Sequence, residues 1–233
     1  MANAKIGEPR AASREPREWG LYLVTDRHQT GGRDIVEVLG QAAAAGVPAI
    51  QLREKGLETV EMYHLAETLL TMTRQAGAAL LINDRVDVAM ALGADGVHLT
   101  RKSLPPREVR SLVGSRMLIG ISCHGLEDVR EAMDGGVDFV ALGPMYATLS
   151  KAPYGPPLAP GILREARRIC PLPILAIGGI KAARVLEVVG AGADGVAAIS
   201  AVLAAPDPGA ATRELLDAVA KAKREVGSGS AEQ

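Results

Sequence analysis

The chain has 233 residues, 48% of them apolar, and a formal net charge of -1. That length carries one sizeable hydrophobic core, and so small a charge excludes a global field drawing the protein to nucleic acid or an anionic membrane. Two cysteines, Cys123 and Cys170, rule out a disulfide framework and read as free thiols of a reducing cytosol.

Residues 1–18 are rich in Ala, Pro, Arg and Glu and lack the apolar core of a secretory signal, so they read as a disordered tail. From there short β-rich runs alternate with helical segments. Runs at 21–25, 49–53 and 79–83 are separated by amphipathic stretches at 35–45 and 59–75. The gap spanning 86–92 allows about two turns of helix, and a fourth run follows at 96–99. Further runs come at 117–122, 138–142, 173–177 and 195–200, with helical patterns at 126–133 and 182–189. Residues 225–233 contain Gly227-Ser-Gly-Ser and read as a flexible tail. No apolar run approaches the ~20 residues of a membrane span, so a soluble cytoplasmic protein is expected.

A weak internal echo supports the strand count. Gly93-Ala-Asp-Gly-Val97, Gly135-Gly-Val-Asp-Phe139 and Gly192-Ala-Asp-Gly-Val196 each look like a glycine-marked helix end running into a strand. Eightfold strand–helix alternation predicts parallel strands with right-handed crossovers. The expected architecture is a single-domain (β/α)8 TIM barrel over residues 19–224, with a doubly wound open sheet as the alternative. Gly190-Ala-Gly-Ala-Asp-Gly195 matches G-x-G-x-x-G, but it follows a helix and precedes a strand. The dinucleotide fingerprint needs the reverse order, so that reading is rejected.

In such a barrel, chemistry sits at the carboxyl ends of the strands. The second run ends Gln51-Leu-Arg-Glu-Lys55, and side chains alternate along a strand. Gln51, Arg53 and Lys55 therefore share a face and point two cations into the mouth, to meet either a ligand anion or an internal acid. At the third strand end, Asn83-Asp84 suits Mg²⁺ held partly by substrate phosphate, or else Asp84 caps the following helix. After the fifth strand, Ser122 and His124 share a face and Cys123 points away, which argues against a Cys–His nucleophile pair. Ser122 is a candidate phosphate donor, and His124 either an acid–base group or a packed bystander. A long loop after the sixth strand carries Thr148, Ser150 and Lys151, a set suited to an anionic substrate. Gly178-Gly179 and Ile199-Ser200, after strands seven and eight, are candidates for backbone phosphate binding. Two anion sites in one mouth fit two anionic substrates or one long bisphosphate.

The motifs QLREK, INDRVDVAMALGADGVHL, IGISCH, GPMYATLSK, AIGGI and GADGVAAISA, in that order over about residues 21–201, resemble the thiamine phosphate synthase family. That resemblance implies a transferase joining hydroxymethylpyrimidine pyrophosphate to thiazole phosphate, with Mg²⁺ as cofactor. It implies that Gln51, Arg53, Lys55, Asn83, Ser122 and Lys151 hold the pyrimidine pyrophosphate. Thr148, Leu149 and Ser150 would contact the thiazole, while Gly179, Ile199 and Ser200 hold its phosphate. Lys151, Ser122 and His124 are the catalytic candidates, and Asp84 the metal ligand. The family's second metal carboxylate is here Ser103, within Thr100-Arg101-Lys102-Ser103. Arg101 and Lys102 either add charge toward the pyrophosphate or face solvent. The related thiazole tautomerases, with His124 as acid–base group, and a non-catalytic phosphate-binding barrel are the alternatives. Phosphorylated small molecules, with no nucleic acid or membrane, are the expected partners, and such barrels often form homo-oligomers.

Overall fold

Alternation along short strands decides this architecture. The computed structural model describes residues 15–147 and 156–229. The strands are β1 (Leu21–Val24), β2 (Ala49–Leu52), β3 (Ala79–Asn83), β4 (Gly96–Leu99), β5 (Leu118–Cys123), β6 (Phe139–Leu142), β7 (Ile174–Ile177) and β8 (Gly195–Ala198). They form a closed parallel barrel in sequence order, and β1 pairs with β8 through Leu21↔Val196, Tyr22↔Ala197 and Leu23↔Ala198. The helices are α1 (Ile35–Ala44), α2 (Thr59–Ala76), α3 (Val86–Leu92), α4 (Pro106–Val113), α5 (Leu126–Asp134), α6 (Gly161–Ile169), α7 (Ala182–Gly190), α8 (Ser200–Leu203) and α9 (Pro208–Gly229). The TIM barrel expected from the alternation is the fold observed.

Side-chain parity divides the apolar residues into two cores. Leu21, Leu23, Ile50, Leu52, Leu80 and Ile82 pack outward against the helices. Tyr22, Val24, Ala49, Leu81, Phe139 and Leu175 fill the barrel interior with Trp19. The chain has one Trp, one Phe and four Tyr, and Trp19, Phe139 and Tyr22 all lie inside. Their ring centroids are 5.3–5.5 Å apart, within the favourable range for stacked and edge-on pairs.

The echo seen in the sequence has a mechanical role. Asp95, Asp138 and Asp194 each enter a strand, and each grips the start of the preceding strand twice. Their backbone N–H groups donate to the carbonyls of Leu80, Ile119 and Ile174. Their carboxylates accept from the N–H groups of the same three residues at 2.6–2.9 Å. Arg110 and Arg167 bind Asp138 and Asp194 at 2.5 Å and also cap carbonyls of the neighbouring turns.

Several bounds differ from the sequence expectation. Pro16–Glu18 form a 3-10 turn inside the stretch read as a tail, because Arg17 pairs with Asp194 and donates to the Pro171 carbonyl. Helix α9 runs on through Gly229, past the expected boundary at 224, and Lys223 on it donates to the Arg17 carbonyl. Strand β8 stops at Ala198, so Ser200 opens α8 rather than ending the strand. Among the described residues no helix is long and apolar enough to cross a membrane.

Gly120 gives one test of the interior packing. A Cβ there would collide with the Phe139 ring. Gly120→Ala is expected to cost about 2 kcal/mol through overpacking, read from the urea midpoint at unchanged m-value.

Candidate active site

The eight strand ends open on one face of the barrel, as the fold class requires. Ile50 and Leu52 pack outward, so Gln51 and Arg53 point inward. They line a cavity of about 150 Å³ with Lys55, Tyr22, His98 and Ser122. Among the described residues no acid lies within ion-pair distance of Arg53 or Lys55, so the internal salt bridge allowed by the sequence does not form. Glu54, between them, is buried and turned the other way. Both its oxygens accept from the Arg27 N–H, at 3.0 and 3.1 Å, which ties down the loop after β1. Thr25 Oγ1 accepts from the Arg53 N–H at 2.9 Å and sets the start of that side chain.

Next to this cavity in strand order, β3 delivers Asn83 and Asp84. Asp84 sits in left-handed backbone, with φ 59°. Its carboxylate does not cap α3, whose first residue follows Arg85 with no side-chain cap. Instead it accepts from Asn83 Nδ2 at 2.8 Å and from the Ser103 hydroxyl. Ser103 Oγ also accepts from the Thr100 N–H at 2.7 Å. The loop after β4 therefore folds onto Asp84. A carboxylate only accepts, so the Asn83 amide nitrogen must face it. Asn83 Oδ1 is left buried with no partner, the one such side-chain atom among the described residues. A buried orphan acceptor is costly unless a ligand donor fills it.

Arg101 pairs with Asp128 Oδ1 at 3.1 Å, and Asp128 Oδ2 accepts from the His124 N–H at 2.7 Å. Lys102 is exposed.

A second cavity, of about 380 Å³, is lined by His124, Gly179, Ile199 and Ser200, with Lys181 at the start of α7. Gly178 and Gly179 have φ of 103° and 68°, which leaves their backbone free to turn here. A Cβ on Gly178 would lie 2.6 Å from Pro144. His124 Nδ1 donates to the Gly143 carbonyl at 2.6 Å, which fixes the ring and leaves Nε2 as the free nitrogen of the neutral form. Cys123 is buried on the helix side, and burial pushes its thiol well above the ordinary range. The two cavities share Gln29, Ser122, Ile177 and Ile199. Thr148, Leu149, Ser150 and Lys151 lie outside the described residues.

Tyr22, His98 and Gln29 belong to this mouth and escaped the sequence reading. Tyr22 and His98 are fully or almost fully buried in the barrel. Gln51 Nε2 lies 3.1 Å from the Tyr22 hydroxyl, Tyr22 Oη 3.3 Å from His98 Nδ1, and His98 Nε2 3.0 Å from Ser122 Oγ. Burial, aided by the positive charge of Arg53, pushes His98 down to about 3. Burial pushes the Tyr22 hydroxyl up. The signal available in the sequence was parity: His98 alternates with Val97 and Leu99, both of which pack outward.

The thiamine monophosphate synthase family profile matches residues 21–202. The chain belongs to this family. A protein of Geobacter sulfurreducens is 48% identical over 85% of this chain and 93% of its own length. The thiamine-phosphate synthase of Roseiflexus sp. is 44% identical over 87% of this chain and 86% of its own. Among solved structures, the thiamine phosphate pyrophosphorylase of Pyrococcus furiosus superposes with a TM-score of 0.81 at 35% identity, covering 89% of this chain and 98% of that one.

His98 gives an acid signature. Its folded value lies below the ordinary 6.5, so between those limits the unfolded chain binds the extra proton and stability is lost as pH falls. From pH 7 to pH 5 the wild type should lose about 2 kcal/mol more than His98→Gln, measured by urea unfolding of both proteins.

Proposed function

We propose that the protein is a thiamine-phosphate synthase, joining hydroxymethylpyrimidine pyrophosphate to a thiazole phosphate and releasing pyrophosphate. The observation that carries this reading is the pair Arg53 and Lys55 at the barrel mouth, two cations with no acid partner among the described residues, beside a buried acceptor on Asn83 that lacks a donor among them. An aminopyrimidine bearing a pyrophosphate supplies both missing partners. The synthase names among the relatives favour this reading over a tautomerase.

The chemistry follows from the two-cavity geometry. Pyrophosphate leaves with the electron pair of the C–O bond, and the thiazole nitrogen closes on the pyrimidine methylene carbon. Arg53 and Lys55 stabilise the charge that grows on the leaving oxygens, and do so more strongly at a partly enclosed mouth than in water. Gly178-Gly179 and Ser200 face the second cavity, where backbone N–H groups suit the thiazole's phosphate. Lys151, with Thr148, Leu149 and Ser150, is assigned to the substrates on the family resemblance.

The Asp84 site fits magnesium in a limited way. One carboxylate and the hydroxyl of Ser103 form an all-oxygen donor set, and Mg²⁺ commonly takes one or two carboxylates with substrate phosphates and water. Asp84 and Ser103 would hold the ion, which when bound would neutralise charge on the pyrophosphate. With a single carboxylate, the ion is expected to enter with the substrate.

The test is synthesis of thiamine phosphate from the two substrates, with Mg²⁺ and with EDTA. Metal-dependent product is expected. No product, under conditions where a known synthase succeeds, overturns the reading. Lys55→Ala should raise KM for the pyrimidine pyrophosphate about tenfold or more through loss of a charged contact. Ser103→Asp should lower the Mg²⁺ concentration for half-maximal rate; an unchanged requirement would place this loop away from the metal.

A further inference from the structure

We infer that Tyr22 and His98 are positioning residues: together they anchor the Ser122 oxygen and so free its hydrogen to donate to the substrates. The inference rests on the synthase reading for its kinetic consequence, though not for its structural one.

Tyr22 is completely buried, so its hydroxyl hydrogen needs a protein acceptor. Its oxygen already accepts from Gln51 Nε2–H at 3.1 Å. The remaining neighbour in reach is His98 Nδ1, at 3.3 Å. If Nδ1 carried the hydrogen, the Tyr22 oxygen would accept twice and its own hydrogen would be stranded in the core, at a cost of a desolvated donor. Nδ1 is therefore the acceptor. An imidazole whose Nδ1 accepts carries its single ring hydrogen on Nε2. Nε2–H then donates to Ser122 Oγ at 3.0 Å. With one lone pair of its oxygen turned to His98, Ser122 keeps its hydrogen for the space it faces, which is the junction of both cavities.

A serine at such a place would otherwise rotate freely and accept or donate. The chain biases that choice. It presents a hydrogen to an acceptor on the substrate at that point, an anionic oxygen or a ring nitrogen.

Two measurements decide it. Nitrogen-15 histidine NMR on the intact wild-type protein, with His98→Gln to assign the signal, should show the neutral Nε2–H tautomer of His98 at pH 7. An Nδ1–H tautomer or an imidazolium overturns the inference, and this result stands whether or not the protein makes thiamine phosphate. Tyr22→Phe keeps the ring that stacks on Trp19 and removes only the hydroxyl. It should release the Nδ1 acceptor, let the Nδ1–H tautomer appear, and turn Ser122 toward Nε2. The kcat for synthesis should then fall about 10- to 100-fold, the scale of one lost catalytic donor. Tyr22→Phe with Ser122→Ala should be no slower than Ser122→Ala alone, since both act through one hydroxyl. Additive losses, or a Tyr22→Phe protein with wild-type tautomer and rate, overturn the inference. A wild type that shows the Nε2–H tautomer but no synthesis overturns the synthase reading and leaves the hydrogen-bond assignment in place.

Discussion

Strand register is the constraint on which this site depends. Six of the eight strands are only four residues long. A slip of one residue in any of them would turn its mouth-facing side chain into the helix layer. Asp95, Asp138 and Asp194 oppose that slip at the amino ends, where each holds a neighbouring strand by both its N–H and its C=O. Arg110 and Arg167 add charge-assisted bonds to two of the three. The clamps sit at the end of the barrel opposite the chemistry, and they leave the mouth free to carry groups chosen for binding rather than stability.

Along the barrel axis the interior changes character in step with that division. Trp19, Phe139 and Tyr22 close the lower part with aromatic contacts. Above them the polar chain from Gln51 through Tyr22 and His98 to the half-buried Ser122 is hydrogen-bonded from end to end. Higher still come Arg53 and Lys55, cations without acid partners among the described residues. Tyr22 belongs to two of these layers, since its ring packs into the aromatic plug and its hydroxyl joins the polar chain. Packing thus fixes the position of a hydroxyl that a surface tyrosine would leave mobile.

The barrel and most of its mouth were legible in the sequence because period-two alternation and motif order survive without knowledge of contacts. Gln51, Arg53 and Lys55 come together as parity requires, and Ser122 and His124 face the mouth while Cys123 turns away. What parity could not give was pairing across strands. The Glu54 bond to Arg27 joins separate loops, and the Tyr22–His98–Ser122 chain joins three strands distant in sequence. Asp84 had two open readings, cap or ligand, and only the fold of residues 100–103 onto it separates them. The bounds at 18 and 224 failed for a related reason. Arg17 and Lys223 are ordinary surface charges until the fold brings Asp194 and the Arg17 carbonyl to meet them.

The shared wall between the cavities sets a final condition on the chemistry. Ile177 and Ile199 are apolar and line both cavities, as do Ser122 and Gln29. On the synthase reading, the cation left when pyrophosphate departs forms against this wall. Two isoleucines there offer no lone pair to capture it, and they displace water that would. Ser122 has one lone pair of its oxygen turned to His98 and its hydrogen available to the same space. The thiazole nitrogen then arrives from the second cavity across an apolar wall.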